Sequence, residues 1–123
     1  MKLIKCYLST STWMKGTVRN GHPVGILWHD TGAGNPNIAR YVQPADDDPN
    51  KDELIEILGK NRYHNDWNHQ NRQAGVNAFI GKIADGSVAT CLTSDFDVHP
   101  WGCASGKNGS LNGYNSKKSN PVK

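Results

Sequence analysis

The stretch VNAFIGKIADGSVATCLT, residues 76–93, decides the fold class. Its two parts, residues 76–83 and 88–93, are apolar and rich in residue types that favour β-strands. The sequence ADGS between them places Asp85 and Gly86 at the position of a tight turn, where this dipeptide is a strong hairpin signal. The pattern predicts a β-hairpin.

Two further strands are predicted nearer the N-terminus. KLIKCYL, which begins at Lys2, is rich in apolar and aromatic residues, and VGILWH, residues 24–29, is a short apolar run bounded by Pro23 and Gly32. A run of this kind suits a buried central strand. His29 is therefore expected at the C-terminal end of a strand, on the rim of the sheet.

Two segments that follow these strands are predicted to be a short helix and a loop. NPNIARYV, residues 35–42, predicts a short helix with Ile38, Tyr41 and Val42 on one face. The acidic run 46–48 has no partner at ligand spacing, so a solvated loop is favoured over a calcium site.

The clearest helix is predicted over residues 51–58. Asn50 is its expected N-cap, Glu53 three residues later makes the start resemble a capping box, and Gly59 is placed to end it. Together with the strands, this helix predicts an α/β fold, a mixed central sheet with flanking helices.

Length and composition limit the function classes. A chain of 123 residues is expected to form one domain, and the polar segment 104–123, in which fifteen of twenty residues are Gly, Asn, Ser or Lys, is expected to be a tail or loop. A net charge of +3 is too small to indicate nucleic-acid binding. No apolar run is long enough for a membrane span or a signal-peptide core, so we expect synthesis in the cytoplasm without a signal peptide.

The cysteines and most histidines have structural interpretations. Three cysteines without a C-x-x-C pair support neither a disulfide framework nor a zinc finger, and Cys6 and Cys91 are expected to be buried apolar side chains. His64 and His69 lie in an Asn-rich stretch and are expected to form hydrogen bonds at the surface. An alternative for His69 is that it approaches the cleft.

Asp30 opens the sequence DTGA, which is typical of retroviral-type aspartic proteases. Such an enzyme works as a dimer in which two carboxylates share a proton, and residues 79–81, FIG, could pack behind the Asp30 loop. Two features argue against this homodimeric protease. The preceding residue is the protonatable His29, and the charged segment 51–58 occupies the place of a glycine-rich flap.

His29 is the alternative to Asp30 as the residue on which function depends, since a neutral imidazole at a sheet rim suits a catalytic zinc site. The sequences GILWHDTGAGNPNIARYVQP, NDWNHQNRQAGVNAFIGKIADGSVAT and PWGCASGKNGSLNGYN occur in this order within residues 24–115. In these segments the chain resembles the zinc-dependent N-acetylmuramoyl-L-alanine amidases, the domain type of peptidoglycan-recognition proteins and of phage or prophage endolysins.

The resemblance implies roles for individual residues. His29 would be the first zinc ligand, followed by Thr31 in the rim loop, and Asn77 would line the cleft beside the metal. WGCASGKNGS would form one wall of the groove for the stem peptide, with Trp101, Cys103 and Asn108 as the candidate wall residues. The implied reaction is hydrolysis of the amide bond between N-acetylmuramic acid and L-alanine in bacterial peptidoglycan, reached after release of the protein by lysis or through a holin.

The chain also departs from the family pattern. The family's acidic strand, its covering helix and two of its three zinc ligands would lie beyond residue 123, so the sequence is interpreted as a partial domain with weak or no activity. His99 and Cys103 are additional candidate zinc ligands, because with His29 they would give two imidazoles and one thiolate. The alternative is a non-catalytic module that binds peptidoglycan.

Overall fold

The predicted hairpin is part of a three-stranded mixed sheet. The computed structural model describes residues 1–10, 26–70, 72, 74–98 and 100. Strand β1 spans Lys2–Lys5, β2 spans Ala78–Lys82 and β3 spans Val88–Leu92. The sheet order is β1-β3-β2, with β3 antiparallel to β2 and parallel to β1. An α/β class with a mixed sheet therefore holds for the described residues.

The hairpin turn forms where the Asp-Gly dipeptide predicted it. Gly86 has φ +82°, a conformation that glycine adopts without the steric cost of a Cβ. The Asp85 carboxylate accepts hydrogen bonds from the Ser87 hydroxyl at 2.6 Å and the Ser87 N–H at 2.9 Å. The hydroxyl bond is the main reason that the pKa of Asp85 is lowered.

One helix, α1, spans Lys51–Leu58 as predicted, and Gly59 ends it at φ +96°. Its start differs from the prediction. The Asn50 side chain makes no capping bond, and the Asn50 N–H donates to the Asp48 carboxylate at 2.8 Å. No capping box forms with Glu53, because Asp48 already satisfies that amide. The acidic run lies in the turns before α1, as the loop interpretation predicted.

The core lies between one face of the sheet and α1. Leu54 and Leu58 of α1 are buried, and Leu58 alone contributes about 2 kcal/mol through apolar burial. The side chains of the core cluster are Ile4, Cys6, Leu8, Ile38, Tyr41, Val42, Leu54, Leu58, Phe79, Ile83, Ala89 and Cys91. The opposite face of the sheet is open among the described residues, where Leu3 is 62% exposed.

The segment predicted as a short helix is a single 3₁₀ turn, Ile38–Arg40. The helix does not begin earlier, because Asn37 is extended and forms a β-bridge with Lys82 of β2. The turn is docked on β2 by a hydrogen bond from the Lys82 N–H to the Pro36 carbonyl at 2.8 Å. Gly81 permits this approach, since a Cβ there would lie 2.6 Å from the Pro36 oxygen.

The strand predicted over residues 24–29 is not formed by residues 26–29, the part that the structure describes. Ile26 and Trp28 are 77% and 69% exposed, so this segment is not a buried central strand. These residues pair with no described strand. At Lys82 the outer edge of β2 bonds to the backbone of Pro36 and Asn37 instead.

A buried polar turn, residues 66–69, joins the remaining segments. The Asn68 amide donates to the carbonyls of Tyr7 at 2.9 Å and Gln43 at 2.8 Å, and its oxygen accepts from the Thr10 hydroxyl at 3.0 Å. One side chain therefore connects the chain after β1, the segment before α1 and its own turn.

We expect Asn68→Ala to lower the free energy of unfolding by about 2–3 kcal/mol, because it leaves two carbonyls without their donors. Urea unfolding measures the loss. Asn50→Ala is the matched control, since that side chain makes no capping bond, and it should cost less than about 0.5 kcal/mol. Equal losses in the two variants would contradict the connecting role of Asn68.

Cys6 and Cys91 are buried free thiols, as predicted. Burial is the main cause that raises the pKa of both, in Cys91 to about 12. A thiol that stays protonated is a poor nucleophile. We therefore expect a Cys103→Ser variant to resist labelling by a thiol reagent in the native state and to label at both remaining cysteines in denaturant. Rapid native labelling would contradict this burial.

Candidate functional site

A cavity of about 240 Å³ opens where the rim loop, residues 29–35, meets strand β2. Its lining combines polar side chains of the loop with apolar and aromatic side chains of the core. The lining residues are His29, Asp30, Thr31, Asn35, Pro36, Ile38, Tyr41, Phe79 and Ile80.

Two of the predicted site residues meet at this cavity. His29 and Thr31 both line it, and the His29 side chain is exposed. His29 lies on an irregular rim and not at the end of a strand, which corrects the local structure predicted for it. Its role as a zinc ligand stays a prediction.

The other predicted residues lie elsewhere or outside the described part. Asn77 is not among the cavity's lining residues, and its amide donates to the Ser94 hydroxyl at 2.9 Å and the Val98 carbonyl at 3.2 Å. Those contacts hold the turn after β3. The remaining candidates, which are His99, Trp101, Cys103 and Asn108, lie outside the described residues.

Tyr41 forms the polar part of the cavity floor. Its hydroxyl donates to the Asn35 carbonyl and accepts from the Thr31 hydroxyl, both at 2.9 Å. These roles follow from its single proton, because a carbonyl can only accept. The Tyr41 ring stacks on Phe79 with centroids 5.5 Å apart, and Trp67 meets Phe79 edge-on at 5.1 Å. Three aromatic rings therefore support a floor that the pattern of the sequence did not indicate.

Asp30 has a structural task in the rim loop. Its carboxylate accepts a hydrogen bond from the Gly32 N–H at 2.9 Å, and Gly32 has φ +63°. This is a turn in which an aspartate side chain satisfies the backbone two residues later. The geometry accounts for the sequence Asp-Thr-Gly without a second carboxylate.

A zinc ion needs more donors than this part of the chain brings together. Among the described residues, no three His, Cys, Asp or Glu side chains are grouped so that they could hold a metal ion. His29 is one candidate ligand, and Asp30 beside it is engaged with Gly32. The described residues alone do not form a complete zinc site.

A second polar cluster surrounds His69. Its Nδ1 lies 2.9 Å from Oδ2 of the buried Asp66, and its Nε2 lies 3.5 Å from Oδ1 of Asp46. His69 forms hydrogen bonds as predicted, but its side chain is only 18% exposed, so it is not a surface residue. His64, by contrast, is exposed as predicted. Neither His69 nor Asp66 lines the cavity.

Comparisons of this chain with protein-family models, curated proteins and solved structures find no match. The resemblance within residues 24–115 therefore rests on the quoted motifs, and the function has to be argued from the cavity. No helix of the described residues is long and apolar enough to cross a membrane.

Tyr41→Phe tests how the cavity floor holds the rim. The substitution keeps the ring on Phe79 and removes the bonds to Thr31 and Asn35, so we expect a native fold that is less stable by about 1–2 kcal/mol. Amide chemical shifts of residues 30–35 should move with it. Tyr63→Phe, at an exposed ring, is the control, and similar changes in both variants would contradict the proposed network.

Proposed function

We propose that this chain is a peptidoglycan hydrolase of the zinc-dependent N-acetylmuramoyl-L-alanine amidase type. The observation that carries the proposal is the exposed His29 imidazole on a cavity that also contains the Thr31 hydroxyl. Both residues belong to GILWHDTGAGNPNIARYVQP, one of the three segments on which the resemblance to these amidases depends. The proposed setting is that of a phage or prophage endolysin, which reaches the cell wall after lysis or through a holin.

The cavity has the chemistry that a stem peptide requires. Peptide substrates offer amide groups together with small apolar side chains. The cavity presents the Asp30 and Thr31 side chains together with apolar surface from Ile38 of the 3₁₀ turn and Ile80 of β2. A small number of polar groups in a partly apolar cleft is the usual composition of a ligand site.

The zinc ion is part of the proposal and depends on residues beyond the described set. His29 would contribute one imidazole nitrogen, and His99 and Cys103 are the candidate partners in the sequence. When bound, zinc would polarise the scissile carbonyl and activate a water. One imidazole cannot hold zinc tightly, so we propose that this chain has weak amidase activity.

A non-catalytic module that binds peptidoglycan is the second candidate. It is favoured by the single candidate zinc ligand on the cavity among the described residues. Such a module would use the same surface as the amidase and release no product. The two candidates therefore predict the same binding and different chemistry.

The test incubates the chain with insoluble peptidoglycan and excess Zn²⁺ and measures bound protein and new L-alanine amino termini. We expect binding and slow release of amino termini, with release at least about tenfold lower in His29→Ala. Asp30→Asn is the matched control, because its side-chain oxygen can still accept from Gly32.

Each result has a separate meaning. Binding without zinc-dependent release would favour the module over the amidase. Loss of hydrolysis in Asp30→Asn with full activity in His29→Ala would contradict the role of His29 and would point to Asp30 as the catalytic group. A chain that neither binds nor cleaves peptidoglycan would contradict both the amidase and the module.

A further inference from the structure

His69 lies between two carboxylates that belong to different parts of the chain. Asp66, on the same turn, faces Nδ1 at 2.9 Å and is fully buried, whereas Asp46, in the loop before α1, faces Nε2 at 3.5 Å and is exposed. Both nitrogens of the ring therefore point to an acceptor. A protonated imidazole has two donors and can satisfy both, but a neutral imidazole has one.

The surroundings of His69 favour its protonated form. Burial is the largest single influence and lowers the pKa of the ring. The hydrogen bonds and negative charges of Asp66 and Asp46 act in the opposite direction and together outweigh burial, so the pKa of His69 is raised above its ordinary value.

Two other titratable groups belong to this cluster. The ammonium group of Lys51, at the start of α1, lies 2.7 Å from the same Asp46 oxygen, and the two groups form an exposed ion pair. The His64 ring meets the His69 ring edge-on with centroids 5.2 Å apart. Lys51 shares Asp46 with His69 and limits what that carboxylate contributes, while Asp66 has no cationic partner besides His69 among the described residues.

The turn that His69 closes also supports the cavity. Trp67 lies between Asp66 and His69 in the chain. Its backbone N–H donates to the Tyr41 carbonyl at 2.8 Å, and its ring meets the Phe79 ring edge-on. Tyr41 and Phe79 both line the cavity floor. Trp67 is therefore a contact through which turn 66–69 supports the cavity floor.

We propose that His69 is a proton-operated clasp that joins turn 66–69 to the loop before α1 and thereby holds Trp67 under the cavity floor. Protonated, the imidazole bonds to both Asp66 and Asp46. Deprotonated, it keeps Asp66 as a partner and loses its donor to Asp46, so the turn opens more often. The clasp does not depend on what the cavity binds.

The direction of the pH effect follows from the two states of the chain. Because folding raises the pKa of His69, the stabilisation is complete below the pKa of the unfolded chain and is lost as pH rises through the folded pKa. The clasp is closed in mild acid and open in mild alkali, within the range where histidines change charge.

The first experiment follows the His69 ring by NMR across this pH range, in the folded protein and in the same protein unfolded in urea. We expect a higher titration midpoint in the folded protein and a lower folded midpoint in Asp46→Asn. Asp47→Asn is the matched control, because it removes a charge from the same acidic run at a side chain that does not contact His69. A folded midpoint at or below the unfolded one would overturn the proposal.

The second experiment measures hydrogen exchange of the Trp67 amide, corrected for the intrinsic effect of pH. We expect protection to fall as His69 deprotonates and to become independent of pH in His69→Gln. His64→Asn should keep the pH dependence, since it removes only the neighbouring ring. Protection that does not change with pH in the unmodified protein, or that changes equally in His69→Gln, would overturn the clasp.

Discussion

The structure depends on one requirement, that the polar groups buried beneath the sheet find partners. The Asn68 side chain meets it with two donated and one accepted hydrogen bond to two segments, residues 7–10 and Gln43, that lie far from it in the chain. The adjacent Asp66 carboxylate accepts the N–H groups of Asn68 and His69. An unpaired buried polar group costs about 1–3 kcal/mol, more than the about 1 kcal/mol that one hydrogen bond contributes, so this turn specifies where the surrounding segments lie.

The floor and the rim of the cavity are held by different kinds of contact. The floor consists of aromatic rings, with Trp67 and Tyr41 packed on Phe79, and these rings are connected to the buried turn. The rim has no strand ladder over residues 26–35. It is held by side-chain bonds, from Thr31 to Tyr41 and from Gly32 to Asp30. A ligand would therefore meet a preformed floor and a rim fastened at a few points.

Sequence patterns predicted the hairpin and α1, which form through interactions between residues close together in the chain. The hairpin follows from an Asp-Gly turn between two strand-forming runs, and α1 follows from its apolar spacing and its terminal glycine. The strand over residues 24–29 was predicted wrongly, because apolar character suggests burial but does not show whether another strand pairs with the run. The burial and hydrogen bonding of Asn68 and Asp66 could not be predicted from the sequence, since an Asn-rich stretch is usually exposed and the partners of Asn68 are distant in sequence. Thr31 and His29 were placed by motif, whereas Tyr41 and Phe79 required the tertiary structure.

The surroundings of His69 and His29 differ in a way that bears on metal binding. A ligating imidazole must offer an unprotonated nitrogen, which is easiest where no carboxylate stabilises the proton. Both nitrogens of His69 face a carboxylate, and the two carboxylates favour the protonated ring, which competes with metal binding. Among the described residues, His29 is a histidine that lines the cavity, and it is exposed. Its role as a metal ligand stays a proposal, whereas the surroundings of His69 suit a charged group that holds a turn.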